Sequence, residues 1–316
     1  MADTTALQDL DNALGSGYLI IREMPQAAGF HTYAARSKSN GSTVEIKTIS
    51  IAQIGGAVPV SDADLESRRI QHPNVVPMIS VGSAGDTFFW ISPDVDARTL
   101  SARLSRGGRI EMRDSLTVLR DVSAGLTHAH LHGVVHGGLS PDSILISGGS
   151  ALVADLGIAE VFTALKRASS SARATPTSSG ALRYMSPEQA NGKKADTRSD
   201  AYSWGVIAYE LLAGRHPFAG RSTPQQIIAA HTEETPPPIT NLSADLPQGI
   251  TRLIMRCLSK DPSKRPETAR DIRDVMTKEM LQPDPSPPAG SGQKAVIALM
   301  ILAVVAIGVI AWLGMH

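Results

Sequence analysis

The chain changes its hydrophobic period near Asp96, and that change limits the folds open to it. Ahead of it, Tyr18 to Ile21, Phe30 to Ala35, Val44 to Ile49, Val75 to Val81 and Thr87 to Ser92 are short runs of β-formers. Ser39-Asn40-Gly41-Ser42, between two of them, reads as a hairpin turn. One short helix is expected over Asp62 to Ile70, capped by Ser61 and ended before Pro73. Beyond Asp96, Leu116, Leu119, Val122 and Leu126 recur every three or four residues, which predicts an amphipathic helix from about Arg113 to His130. Mostly apolar helices follow over Asp200 to Leu212, Pro247 to Leu258 and Pro266 to Met280, the last with Pro266 near its start. The expected class is α+β, a small antiparallel β lobe leading into a larger helical one.

With 42% hydrophobic residues among 316, the chain has ample core. A formal net charge of +0 gives no reason to expect a nucleic-acid partner. The single cysteine, Cys257, excludes a disulfide framework and a multi-cysteine metal site, and its apolar surroundings read as a buried helical thiol. The first residues lack the basic and apolar regions of a signal peptide. From Ala295 to Gly314 every residue is apolar or glycine. A helix of that length spans roughly 30 Å, the thickness of a bilayer's hydrocarbon core. The expectation is a single transmembrane helix over 295–314, with Trp312 near one interface. Lys294 ahead of it places the preceding part in the cytoplasm, at a cytoplasmic membrane. Residues 1–17 are expected to be a lead-in, 18–281 the folded domain (lobes 18–95 and 96–281) and 282–294 a Pro/Gly/Ser linker.

Val134 to Ile146 reads as a strand, a glycine turn and a second strand. The polar side chains of the turn are His136, Ser140, Asp142 and Ser143.

The order Val44-x-Ile-Lys47, His72-Pro-Asn, His136-x-x-Leu-x-Pro-x-x-Ile-Leu, Asp155-x-Gly, Ser186-Pro-Glu resembles the protein kinase superfamily, most closely the bacterial membrane-anchored Ser/Thr kinases. That resemblance implies a bilobal kinase-like fold over Tyr18 to about Met280. It implies that Lys47 grips nucleotide phosphates, that Asp155 is a Mg²⁺ ligand, and that the Val95 N–H in Pro93-Asp94-Val95 pairs with adenine. Ser92 falls at the gatekeeper position and leaves room behind it. Glu188 is expected to pair with Arg265, and Asp200 to brace the loop at His136; these three are structural supports.

Several positions depart from the family's pattern. Gly138 stands where the catalytic aspartate belongs, so no side chain there orients a hydroxyl or accepts its proton. Ser140 replaces the loop lysine, Ser143 the Mg²⁺-binding asparagine, and Ala181 a threonine of the activation segment. The glycine-rich loop reads Pro25-x-Ala27-x-x-Phe30. Ala63 falls where the helix glutamate belongs, with Asp62, Asp64 and Glu66 beside it. Asp142 remains as an acid, in a slot that is not catalytic in the family. The pattern implies a pseudokinase acting as scaffold or regulator. An active Ser/Thr kinase with an atypical loop and an ATP sensor without transfer stay open, as do ATP binding and the use of Mg or Mn. Thr163, Ser169, Ser170, Ser171, Thr175 and Thr177, interspersed with Lys166, Arg167 and Arg173, are phosphoacceptor candidates. They imply an active Ser/Thr kinase or a phosphothreonine-binding protein as partner.

Overall fold

The computed structural model describes residues 10–27, 30–51, 70–106, 110–159, 182–239 and 246–281. Residues 1–277 form one compact unit and 278–316 another. Several expectations lie outside the described residues: the helix over 62–69, the phosphoacceptor segment, Ala181, the linker and the apolar run 295–314. Among the described residues no helix is long and apolar enough to cross a membrane.

The N-terminal lobe is a five-stranded antiparallel sheet: β1 (Tyr18–Ala27), β2 (Phe30–Ser37), β3 (Thr43–Ser50), β4 (Ser80–Ala84) and β5 (Thr87–Pro93), in the order β1-β2-β3-β5-β4. Both faces are covered. On one, Leu10 and Leu14 of a helical segment over 10–14 join Tyr33, Ala35, Val44, Ile46, Phe89 and Ile91 in one apolar cluster. Part of the expected lead-in is therefore core, because the outer face of the sheet needs a cover. On the other face Ile49, Ile51, Val81, Phe88 and Trp90 pack with Ile158 of the following lobe. Strand β3 alternates accordingly, with Val44 and Ile46 buried and Glu45 and Lys47 half-buried.

The fourth strand, expected over Val75 to Val81, is corrected to Ser80–Ala84. Residues 75 to 79 serve a different purpose. Val75 bridges Val153, Val76 N donates to Val153 O at 2.9 Å, and Asn74 Nδ2 donates to Ala151 O at 2.9 Å. Apolar content alone does not tell a strand from a buried connector, and Pro77 has no N–H for a ladder.

The C-terminal lobe holds β6 (Arg98–Thr99), α1 (Leu100–Ser105), α2 (Met112–Leu131), β7 (Ile144–Ser147), β8 (Ser150–Val153), α3 (Pro187–Ala190), α4 (Thr197–Ala213), α5 (Pro224–Thr232), α6 (Gln248–Cys257) and α7 (Ala269–Leu281). Helix α7 begins three residues after Pro266, because Thr268 and Asp271 cap it: Thr268 N donates to Asp271 Oδ2 at 2.9 Å and Asp271 N to Thr268 Oγ1 at 3.3 Å. Val134 and Val135 form no strand. Val134 N instead closes the end of α2 on Ala129 O at 3.0 Å.

The three principal helices pack closely. Trp204 Nε1 on α4 donates to Leu119 O on α2 at 3.0 Å. A Cβ added to Gly205 would stand 2.6 Å from Cys257 Cβ, so α4 and α6 meet through the missing side chain. Gly205→Ala is expected to lower stability by about 1–3 kcal/mol, the usual cost of overpacking. Urea unfolding of the variant checks it, and an unchanged midpoint would show that α6 simply moves away. Cys257 is fully buried, and burial pushes its thiol up to about 12, so it is a packing residue.

Candidate active site: the cleft and the degraded loop

The cleft face of β3 is set by strand alternation, which puts Glu45, Lys47 and Ile49 on one side. Lys47 Nζ donates to Asp155 Oδ1 at 3.0 Å and Oδ2 at 2.8 Å, and Glu45 Oε1 lies 3.2 Å away. Burial alone would lower the lysine's pKa, but the Asp155 and Glu45 carboxylates outweigh it and hold it above its ordinary value. Burial likewise opposes ionisation of Asp155, but Lys47, with help from the Trp90 indole, holds its carboxyl below the usual range. Trp90 Nε1 donates to Asp155 Oδ1 at 2.8 Å, and its ring stands edge-on to Phe30 with centroids 5.0 Å apart. Asp155 is in the left-handed region at φ 59, alone in that among described non-glycine residues. Such backbone is uncommon outside glycine, and aspartate is one of the residues that tolerate it.

Glu45 and Trp90 were not singled out by sequence reasoning. The period of two would have put Glu45 beside Lys47. Trp90 required the β3–β5 register, in which it lies opposite Lys47. Ser92 borders a cavity of about 20 Å³ walled by Trp90, Met78, Asp155 and Leu156. That is room for about one water. Val95 is half-buried two residues beyond β5, where Asp94 N donates to Thr43 O at 3.2 Å.

The loop after α2 keeps its frame without its chemistry. Asp200, buried on α4, accepts from His136 N at 2.9 Å and Gly137 N at 2.8 Å, and pairs with His130 Nε2 at 2.8 Å. Gln189 adds a support that the sequence reading missed, its Nε2 donating to Gly137 O at 2.6 Å. His136 is buried, and burial lowers its pKa, so the ring is neutral near pH 7. Gly137 sits at φ +66, and a Cβ there would approach Ala159 and Ala195 at 3.3 Å. Gly138 is different: its backbone lies outside the left-handed region and a Cβ would meet only Ala159, at an ordinary 3.7 Å. A side chain at 137 is therefore strained, whereas the Cβ of an aspartate at 138 has ordinary room.

Ser140 and Ser143 spend their polar groups on each other. Ser140 N donates to Ser143 Oγ at 3.1 Å, and Ser143 Oγ donates to Ser140 O at 3.0 Å, within a 3-10 turn over Pro141–Ser143. Both serines are buried, whereas Asp142 is half-buried. A divalent cation needs several hard oxygens. Ser143 Oγ already accepts from Ser140 N and donates to Ser140 O, and the Asp155 oxygens accept from Lys47 and Trp90. Among the described residues no group of three acids, histidines or cysteines is placed to hold a metal. Of the two side chains the family uses for the cation, Asp155 keeps its carboxylate and Ser143 has only a hydroxyl.

The remaining supports come together. Arg265, 1% exposed, meets Glu188 twice, Nη1 to Oε1 at 2.7 Å and Nη2 to Oε2 at 2.9 Å. Ser199 Oγ also donates to Glu188 Oε1 at 2.6 Å. Burial would raise the Glu188 pKa, but the hydrogen bonds from Arg265 and Ser199 keep it below its ordinary value.

A β-sheet lobe and a helical lobe, with a strand lysine facing an Asp-Leu-Gly aspartate and a loop braced by a helix aspartate, define the class of the protein kinases. The sequence matches the Protein kinase domain over residues 29–279, and the chain belongs to that family. It is 34% identical over 212 residues to the serine/threonine-protein kinase PrkC of Bacillus subtilis, covering 66% of this chain and 32% of PrkC. It is 32% identical over 272 residues to pkn2 of Myxococcus xanthus, covering 83% and 32%. To PknB of Mycolicibacterium smegmatis it is 34% identical over 209 residues, covering 65% and 33%. The chain thus spans about a third of the length of these relatives.

Proposed function

We propose that this chain is a catalytically impaired kinase-like protein, a pseudokinase, acting as scaffold or regulator in Ser/Thr phosphorylation signalling. The observation that carries the reading is Gly138. The loop around it is held by Asp200 and Gln189 as a working loop would be, yet no side chain projects from the base position. A positioned acid or base supplies roughly 10²–10⁴-fold of rate. The lysine missing at Ser140 acts in the same direction. The relatives bear the name of serine/threonine kinases, which supports the signalling context.

The apolar run 295–314 supports a single-span anchor, with the kinase-like domain on the cytoplasmic side of the membrane. The Ser/Thr-rich stretch between Phe162 and Gly180 supports phosphorylation in trans by an active Ser/Thr kinase, followed by docking of a phosphothreonine-binding domain. A second reading is a nucleotide sensor without transfer, favoured by Lys47 and Asp155 facing one another across the cleft.

One experiment addresses these readings together. The full chain, purified in mild detergent, is incubated with labelled ATP and Mg²⁺ or Mn²⁺, alone and with an active relative. Alone, it is expected to incorporate no more label than Lys47→Met. With the active kinase, label is expected within residues 162–180. Transfer by the chain alone that Lys47→Met abolishes would establish an active kinase, and an unlabelled segment would remove the docking role.

A further inference from the structure

Residues 72–79 tie the two lobes together. Val76 N donates to Val153 O and Val153 N to Asn74 O, both at 2.9 Å, while Ile79 N donates to Ile91 O at 2.8 Å. The backbone also presses on α2, where a Cβ added to Gly125 would stand 2.6 Å from Asn74 O. The turn that opens this connector is built on His72. Asn74 N donates to His72 Nδ1 at 3.1 Å, which requires that nitrogen to be unprotonated. The half-buried His72 ring stacks on His128 of α2, with centroids 5.0 Å apart and planes inclined by 29°. The His128 ring in turn lies 4.5 Å from that of His132, whose Nδ1 donates to His128 O at 2.8 Å.

Among the described residues, the titratable and charged groups beside His72 are His128 on α2, with His132 behind it, and Arg273 on α7. The Arg273 guanidinium is bonded to Asp274 at 2.8 Å. Burial, then His128 and Arg273, hold the His72 pKa below its ordinary value. These causes act in one direction, so the packed turn refuses a proton that the freed turn accepts. Protonation removes the acceptor for Asn74 N and sets a cation against His128 and Arg273. We infer that His72 is a proton-sensitive latch of the connector between the lobes, closed while its ring is neutral and released when the ring is protonated. Since the packed value lies below the free one, the latch holds fully above about pH 6.5 and weakens as pH falls below it. The inference is independent of whether the cleft binds nucleotide or transfers phosphate.

The test is hydrogen–deuterium exchange of the full chain in mild detergent at pH 7.5 and pH 5.5, each rate divided by the intrinsic rate at that pH. Peptides over residues 74–79 are expected to open roughly five- to tenfold more at pH 5.5. His72→Asn supplies the comparison, because an asparagine Oδ1 accepts from the N–H two residues on and does not titrate. In that variant the rise over 74–79 is expected to vanish. A rise that His72→Asn retains overturns the inference, and so does the absence of a rise in the wild type. A second measurement needs no variant that folds. The His72 Cε1–H resonance of the wild type is expected to titrate below pH 6.5, and a midpoint at or above 6.5 overturns the latch.

Discussion

Arg265→Ala is expected to cost the domain roughly 3–5 kcal/mol, the range for removing one member of a buried ion pair. The figure follows from what the guanidinium holds. Nε donates to Ser259 O at 2.8 Å, Nη1 to Glu188 Oε1 and to Arg198 O at 3.0 Å, and Nη2 to Glu188 Oε2 and to Lys260 O at 3.2 Å. Its plane also lies 4.9 Å from the Tyr202 ring centroid. All five N–H groups are used, so truncation strands one buried carboxylate and three carbonyls together. Lysine has a single charged centre and no fork, so Arg265→Lys is expected to recover only part of the loss. Thermal unfolding reads the result as a fall on the order of 10 °C for alanine. A fall of a degree or two would mean that Glu188 finds water when Arg265 is gone. The same contact joins the Ser-Pro-Glu turn to the segment before α7, so the expected damage includes loss of the loop frame that Gln189 braces.

Mild acid is expected to weaken the fold through two buried histidines. His216 Nε2 donates to Arg183 O at 2.8 Å while its Nδ1 accepts from Phe218 N at 3.1 Å, an arrangement that uses a neutral ring. Burial lowers its pKa to about 4, with the nearby Arg183 charge adding to the effect. His231 shares a hydrogen bond of 3.0 Å with the Tyr202 hydroxyl and lies 5.1 Å from the Phe218 ring. Burial, His216 and Lys260 lower its pKa to about 3. Both folded values lie below the ordinary 6.5, so between about pH 6.5 and pH 4 the unfolded chain binds protons that the folded one refuses. Stability is therefore complete above pH 6.5 and declines as pH falls, by up to about 1.4 kcal/mol per histidine per pH unit. From pH 7 to pH 5 the two sites together amount to roughly 4 kcal/mol. Glu188 and Asp155, whose pKa values are depressed, add their own losses only at lower pH, near and below the ordinary carboxylate range. Urea unfolding at pH 7 and pH 5 checks the claim. Equal stabilities at the two values would rule out both rings as the acid-sensitive groups.

Much of the fold was legible because its signals are local. The 3.6-residue period from Leu116 to Leu126 announced α2 within a residue or so at each end. β3 and β5 were equally plain from their β-branched and aromatic content. The misplacements have a common origin. Val75 to Ile79 has a strand's composition, but its partners are Val153 in one lobe, far along the chain, and Ile91 in the other. Pro266 looked like a helix start, yet Thr268 and Asp271 form the better cap. Helices α1 and α5 were not anticipated, since six and nine residues give too few turns for a period to show.

The candidate site divides along similar lines. The sequence by itself determined the family and its losses: a glycine at 138 has no side chain in any conformation, and serine at 143 is short wherever it points. Only the tertiary structure decided what the surviving groups do. It turned the Ser143 hydroxyl into its own loop, placed the Trp90 indole on Asp155, and set Glu45 against Lys47. The physical reason is that an absent functional group is a covalent fact, whereas the state of a present one depends on charges and donors brought in from distant residues. Asp155 and Lys47 are 108 residues apart in the chain, and their pairing exists only because the two lobes close one face of a sheet over the loop that follows β8.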